Sequence, residues 1–363
     1  MTDRYDIAIV GAGMAGASLA AALAGEARVL LVEAEDVPGY HATGRSAAFW
    51  TESYGGPGVQ PLTTASGPFL RENGFLGSRA ALTIGRAGQE DQVRTFAERF
   101  ASLGVQVELL HRPALLDHVP GLHEDWTLGA LEPSCCDIDV GALHQHYLAA
   151  LRSGGADLRC RMRLENASCD DKGWLLRFAN GDEVRSDILV DAAGAWADEV
   201  AGIAGISRVG IAPLRRTIVQ LRTAPEAPAD LPLVLDVAEK FYFKPEAGRL
   251  WLSPHDETPS AACDVAADEI DVATAIDRLE RVVDWRIEAV EHRWAGLRSF
   301  APDRLPVYGF APGNERFFWF AGQGGFGIQT APAAAELAAR LILGRDPGKV
   351  DPQPYSPGRF QSS

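Results

Sequence analysis

Gly11, Gly13 and Gly16 follow the apolar run Asp6–Val10 directly, and the small-residue stretch Ala17–Ala24 follows them. A turn of this Gly-x-Gly-x-x-Gly spacing brings free backbone N–H groups and the positive end of a helix to an anion. Gly11 permits the tight turn, Gly13 leaves room for a pyrophosphate, and Gly16 lets the helix lie close on the sheet. A second apolar run, Arg28–Val32, ends in Glu33. An acid about 20 residues after the turn accepts hydrogen bonds from ribose hydroxyls and disfavours a 2′-phosphate. With Met14, Ala15 and Ala34 beside these positions, the pattern predicts an ADP-containing dinucleotide on a βαβ unit. It does not choose NAD or FAD.

Two later stretches bear on that choice. Thr43-Gly44-Arg45-Ser46-Ala47-Ala48 joins glycine and hydroxyls to one arginine. Arg45 and free N–H groups could make a second phosphate contact, and Ser46 is expected to cap a helix beginning there. Near the carboxyl end, the apolar strand Arg316–Ala321 runs into the glycine-rich turn 322–330 and then a helix, Ala331–Leu343. A simple NAD dehydrogenase has no need of that turn. A flavoprotein does, because the N1–C2=O edge of its ring gains negative charge on reduction, and a helix N-terminus stabilises such charge. Similarly, the strand at Asp187–Asp191 ends in small residues, Ala192-Ala193-Gly194-Ala195, before Trp196, so a bulky cofactor can pass close by.

The elements between are expected as follows. Ala81–Ile84 is a strand and Gln89–Leu103 an amphipathic helix. A helix covers Gly141–Ser153, and a hairpin turns around Asn180-Gly181-Asp182. The stretch 208–292 is rich in short strands, with a helix at Asp264–Val282. Phe49–Pro57, which carries Trp50 and Tyr54 and then Gly55-Gly56-Pro57, is expected to be a helix end running into a flexible loop of the kind that closes over a site. The 363 residues suit two domains or one large α/β domain. A net charge of −15 argues against nucleic acid and anionic membrane surfaces as partners. The five cysteines form no Cys-x-x-Cys pair, so no disulfide framework or zinc site is expected. With no bilayer-spanning apolar run and no basic, apolar leader, a cytoplasmic protein is expected.

Taken together, these motifs resemble the D-amino-acid oxidase/glycine oxidase family of FAD-dependent oxidoreductases. The likeness also rests on Trp294-Ala295-Gly296-Leu297-Arg298 with Pro302-Asp303, and on Gln323-Gly324-Gly325-Phe326-Gly327-Ile328-Gln329. It is nearest to the bacterial D-arginine dehydrogenase-like members, through Pro38–His41 and Phe241–Pro245. The resemblance implies an α/β fold: a Rossmann-like FAD-binding domain of the GR2 type, with a second, α+β substrate-binding domain on a mixed or antiparallel sheet. The first would take residues 1–78, 137–207 and 295–363, and the second 79–136 and 208–294. It implies hydride transfer from a substrate Cα to flavin N5, giving an imino acid that water hydrolyses. The cofactor would be non-covalent FAD, contacted also by Ala193, Gly194, Trp196, Gly324, Gly325, Phe326, Gly327, Ile328 and Gln329. Quinone and oxygen both stay open as electron acceptor.

Arg298 is the first choice for a bidentate clamp on a substrate carboxylate, since its planar fork fits that geometry. Tyr242, Arg216 (or its neighbour Arg215) and Tyr54 resemble further substrate contacts. Gly325 and Gln329 would contact substrate or flavin. Two departures from the arginine-preferring members matter. Phe49 stands where they have histidine, and Ala81 aligns with the glutamate that grips their guanidinium. A cationic side chain would lack its counter-charge, so apolar or uncharged D-amino acids are expected as substrates, with Leu233 and Leu235 lining the pocket. The competing readings are a secondary-amine or 2-hydroxy-acid oxidase on the same fold, and a non-catalytic flavin-binding protein.

Overall fold

The computed structural model describes residues 3–361. Its first sheet grows from the strand Asp3–Val10, flanked by Val29–Val32, whose four residues are all buried. Such uniformly apolar strands belong at the centre of a parallel sheet covered on both faces. Ile9 opposes Leu31 on one side and Val190 on the other, both in parallel register. Asp157–Arg159 and Asn314–Ala321 extend the parallel part outward. The hairpin of Gly173–Phe178 with Glu183–Asp191 lies beside it and turns through Gly181 at a φ of +88°. Leu164–Asp170 and Val307–Ala311 complete eight strands.

Helices Met14–Leu23, Val140–Ser153 and Ala331–Ile342 bury Leu19, Leu23, Leu143, Leu148, Leu151 and Leu337 against one face. The short helix Ala197–Ile203 covers the other. A Cβ on Gly16 would come within 1.8 Å of the Gly11 carbonyl oxygen, so the glycine sets how closely the first helix lies on the strand exit. Asp139 caps its helix by accepting from the Ala142 N–H at 2.8 Å.

The second sheet has ten strands and is mixed. Its longest pair is Ala212–Ala224 against Arg286–Phe300, antiparallel over nearly their whole length. Leu233–Asp236 runs parallel to Ala81–Arg86, and the other pairs are antiparallel. The strand Arg286–Phe300 passes straight through position 295, and Gln323–Gly324 pairs with its end. Arg298 therefore stands on this second sheet.

Two local expectations fail. No helix begins at Ser46: Thr43–Arg45 is a single 3-10 turn, Ser46 is extended, and Phe49–Trp50 is a strand paired with Cys136–Ile138. Extended backbone carries the chain from the first sheet to the buried positions of Phe49 and Trp50, and the helix follows at Gln60–Glu72. The expected helix at Asp264–Val282 is shortened to Glu269–Glu280, because Asp268 caps it and Asp264 turns to Arg45. Among the described residues no helix is long and apolar enough to cross a membrane.

Candidate active site

An elongated cleft opens where the carboxyl ends of the parallel strands meet the second sheet. It encloses about 1500 Å³ of empty space, solvent at its mouth included. Gly11, Gly13, Met14, Ala15, Glu33, Ala34, Thr43, Arg45, Ser46, Ala193, Gly194, Trp196, Gly324, Gly325, Gly327 and Ile328 all line it, and so does Arg298. Gly11 is needed twice over: its φ is +101°, and a Cβ there would lie 2.6 Å from the Ala192 carbonyl oxygen.

Several expected cofactor residues have other employment. Glu33 accepts from the Ala12 N–H at 2.9 Å and the Glu35 N–H at 3.0 Å, so its carboxylate also fastens the glycine turn. Arg45, expected on a phosphate, pairs with Asp264 and donates to the Val265 carbonyl. Gly16, Gly44, Ala47, Phe326 and Gln329 do not line the cleft. Gly16 packs on Gly11, and Gly44 turns back to donate to the Gly39 carbonyl at 2.9 Å. Ala47 is buried beside Phe49, and Phe326 packs on Val59 and Phe300. Gln329 is buried and spends its carboxamide on the Tyr54 loop.

The second sheet presents the remaining candidates on one face. Side chains two apart on a strand share a face, as do directly opposed ones. Arg216 opposes Gly296, so Arg216 and Arg298 are diagonal neighbours. Leu235 opposes Tyr242, and Leu233 opposes Ala81. Ala81, Leu233 and Tyr242 pack with Phe49 and Ile218, with Tyr54 and Leu235 at the margin. Alternation sends Arg215 the other way, to Asp271 at 2.7 Å, which settles which of the two arginines faces in.

The two inward arginines differ in their partners. Arg216 donates to Glu257 at 3.1 Å and to the Asp256 carbonyl at 2.8 Å, with the Tyr54 hydroxyl 3.5 Å away. Arg298 is 8% exposed, and its side chain makes no hydrogen bond or ion pair with the described residues. Burial pushes its guanidinium below the ordinary value, as does Arg216, while Tyr242 and Tyr54 oppose the shift. A buried, unpaired cation costs on the order of several kcal/mol. An anionic ligand offsets that cost.

Sequence reasoning missed three groups. His255 lies edge-on to Tyr242, ring centres 5.7 Å apart. Its Nδ1 donates to the Glu239 carbonyl at 2.6 Å, and burial, then Arg216, lowers its pKa to about 3, so the imidazole is neutral. His144 is likewise held neutral by burial and contacts the Ala12 carbonyl at 3.0 Å, beneath the glycine turn. Lone histidines in ordinary stretches carry no local signal. The third is Glu132, directly opposite Ala81 and only 2% exposed. It accepts from the Thr51 hydroxyl at 2.6 Å, the Glu52 N–H at 2.8 Å, the Ser53 N–H at 3.3 Å, the Ser53 hydroxyl, and the Ser134 hydroxyl at 3.2 Å. The Thr51–Tyr54 turn, expected as a free loop, is thus fastened. The exposed Cys263 also lines the cleft, on the side of Tyr40 and Val265.

A glycine turn at a helix N-terminus, an acid on the next strand and a second glycine turn beside a buried arginine fit a dinucleotide whose reactive ring reaches the second sheet. The sequence profile of the DAO family, described as FAD-dependent oxidoreductases, matches residues 6–341. The chain belongs to this family. FAD is its cofactor. The chain is 28% identical to a glycine oxidase of Pseudomonas aeruginosa, over 98% of this chain and 99% of that one. Its fold matches glycine oxidase from Geobacillus kaustophilus at a TM-score of 0.85 and 24% identity, covering 98% of each chain. It also matches L-proline dehydrogenase from P. horikoshii at 0.87 and 19% identity, covering 99% of this chain and 98% of that one. The cleft fits the cofactor: Gly13 leaves its backbone bare beside Thr43, and the small residues 192–195 line the wall, with Trp196 at their end.

Proposed function

We propose that this family member oxidises the Cα–N bond of small D-amino acids with apolar or uncharged side chains. The observation that carries the reading is Arg298: a buried guanidinium without an ion-pair partner among the described residues, in the lining of the cofactor cleft, with Tyr54 and Tyr242 beside it. An α-carboxylate is the complementary ligand, and Arg takes it bidentately. When bound, FAD supplies the hydride acceptor that turns the amino acid into an imino acid.

The chain's own residues bind and orient. Arg298 holds the carboxylate and so fixes where Cα can lie. Tyr54 and Tyr242 bring hydroxyls to the same carboxylate. Both sit among apolar side chains, and burial raises the Tyr54 pKa, so its phenol stays a hydrogen-bond donor. Phe49, Ala81, Leu233 and Leu235 form the wall that meets the substrate side chain. Glu132 faces the same way as Ala81 but offers no spare acceptor. Its two oxygens have about four lone-pair sites, and donors from Thr51, Glu52, Ser53 and Ser134 take them. A cationic side chain therefore finds no counter-charge there. The D configuration is supported by the likeness of the motifs to D-amino-acid dehydrogenases.

Anaerobic bleaching of the flavin tests the reading. The yellow holoprotein is mixed with D-amino acids, L-amino acids, glycine, sarcosine and 2-hydroxy acids. Bleaching by apolar D-amino acids, at least about tenfold faster than by D-arginine, is expected from an unpaired buried cation. Admitting air then separates oxygen from another acceptor such as a quinone. Bleaching confined to sarcosine, hydroxy acids or L-amino acids would replace the proposal.

A further inference from the structure

We propose that Glu132 is a positioning residue, which holds the Tyr54 hydroxyl at the carboxylate site by clasping the turn Thr51–Tyr54. The inference rests on the reading of Arg298, Tyr54 and Tyr242 as that site. Three consecutive residues, Thr51, Glu52 and Ser53, turn their hydroxyl and N–H groups onto one carboxylate. A carboxylate this deeply buried persists only when its acceptor sites are filled. Filling them with one turn fixes that turn. Gln329 grips the same turn as well. Its Oε1 accepts from the Thr51 N–H at 3.4 Å, and its Nε2 donates to the Tyr54 carbonyl at 3.2 Å. Tyr54 is the next residue along. Its hydroxyl lies 3.5 Å from an Arg216 nitrogen and would be 3.1 Å from a Cβ on Gly325.

The clasp has a consequence for chemistry. Tyr54 is presented ready-placed to the incoming carboxylate, so little ordering cost falls on binding. Among the described residues the clasp also occupies the one buried carboxylate opposite Ala81 on that face, so positioning and rejection of cations come from a single group.

Glu132→Gln keeps the shape and turns one acceptor oxygen into a donor that faces donors. The holoprotein carrying it, the wild type, Tyr54→Phe, and the double variant are compared in two ways. Hydrogen exchange is read over residues 51–55, and propionate affinity is read from the flavin spectrum. Glu132→Gln is expected to speed exchange by about tenfold and weaken propionate by about tenfold, the scale of a lost charged hydrogen bond. Tyr54→Phe weakens propionate in the wild type but adds less than about twofold on top of Glu132→Gln, because the hydroxyl is already displaced. Folded, flavin-loaded Glu132→Gln with unchanged exchange or affinity overturns the proposal, and so do fully additive effects. Should Glu132→Gln not fold, Thr51→Val with Ser53→Ala removes the clasp from the turn's side and is judged by the same two measurements. If the wild type binds no carboxylate, the carboxylate-site reading falls. Exchange in the variants then decides the clasp alone.

Discussion

Arg216 and Arg298 stand diagonally across two paired strands on one face of the second sheet, and only Arg216 has a carboxylate. Glu257 also takes Arg304, so it anchors a charge network at the rim. On the proposed reading the pair divides labour: one guanidinium is a wall, the other the receptor of the carboxylate. Arg298→Met is expected to lower kcat/KM by about a hundredfold or more, the scale of losing two charge-assisted hydrogen bonds. Arg298→Lys should recover little of it, because a point charge lacks the fork. Steady-state kinetics on the best substrate of the bleaching panel check both. Activity within threefold of wild type in Arg298→Met would remove Arg298 from the site.

Gly296 makes room for that receptor. A Cβ there would lie 3.0 Å from an Arg298 nitrogen and 3.3 Å from the Arg45 Cβ. The backbone is an ordinary strand, so the demand is space and not conformation. Gly296→Ala should raise KM by about tenfold while flavin content holds, since a displaced fork loses one of its two bonds. Flavin loss as large as the KM change would show that the residue serves the cofactor instead.

His255 gives a stability signature. Its folded pKa is lowered from 6.5 to about 3 by burial and by Arg216. The unfolded chain binds this proton below pH ~6.5. The folded chain does not until about pH 3. Stability is therefore complete above pH ~6.5 and is lost as pH falls from there toward 3. His255 has a φ of +52°, which asparagine tolerates. His255→Asn should flatten the acid limb of a Tm-against-pH curve between pH ~6.5 and 4, where this imidazole takes up its proton in the unfolded chain and not in the folded one. An unchanged limb would show that the limb has another origin.

Asp191 gives the opposite slope. It is fully buried beneath the cleft wall, one oxygen accepts from the Ala193 N–H at 3.1 Å, and the other has no partner among the described residues. Burial raises its pKa well above the ordinary range. The unfolded chain releases this proton above pH ~3.9, while the folded chain keeps it. Its contribution is complete below that pH and is lost as pH rises through the folded pKa. Asp191→Asn, which imitates the protonated acid, should raise Tm near neutral pH and not at pH 4. A fall in Tm at neutral pH would mean that the carboxylate is charged.

Much of the cofactor half was legible in the chain itself. The glycine spacing, Glu33 and the two apolar runs are local patterns, although only Gly16 is dictated by a contact within its own turn, while Gly11 makes room for Ala192 and Gly13 lies beside Thr43. The strand Arg316–Ala321 with its glycine turn was legible for the same reason. Arg298 and Tyr242 stand out in the sequence through short motifs, and the structure puts both on strands of the second sheet. What the sequence could not show was what each polar group does once neighbours arrive. Arg45 has the composition of a phosphate ligand, but Asp264, more than two hundred residues on, takes its charge. Ser46 has the chemistry of a helix cap, yet pairing across to Cys136–Ile138 draws the following residues into a strand. The Gly-Gly-Pro ending after Tyr54 reads as a free loop, but Glu132 and Gln329 fasten the turn before it. Local geometry follows from local sequence because it depends on sterics and periodicity over a few residues. Partnership between charges depends on distances across the fold, and only the packed sheets decided which arginine is paired and which stays open to a ligand.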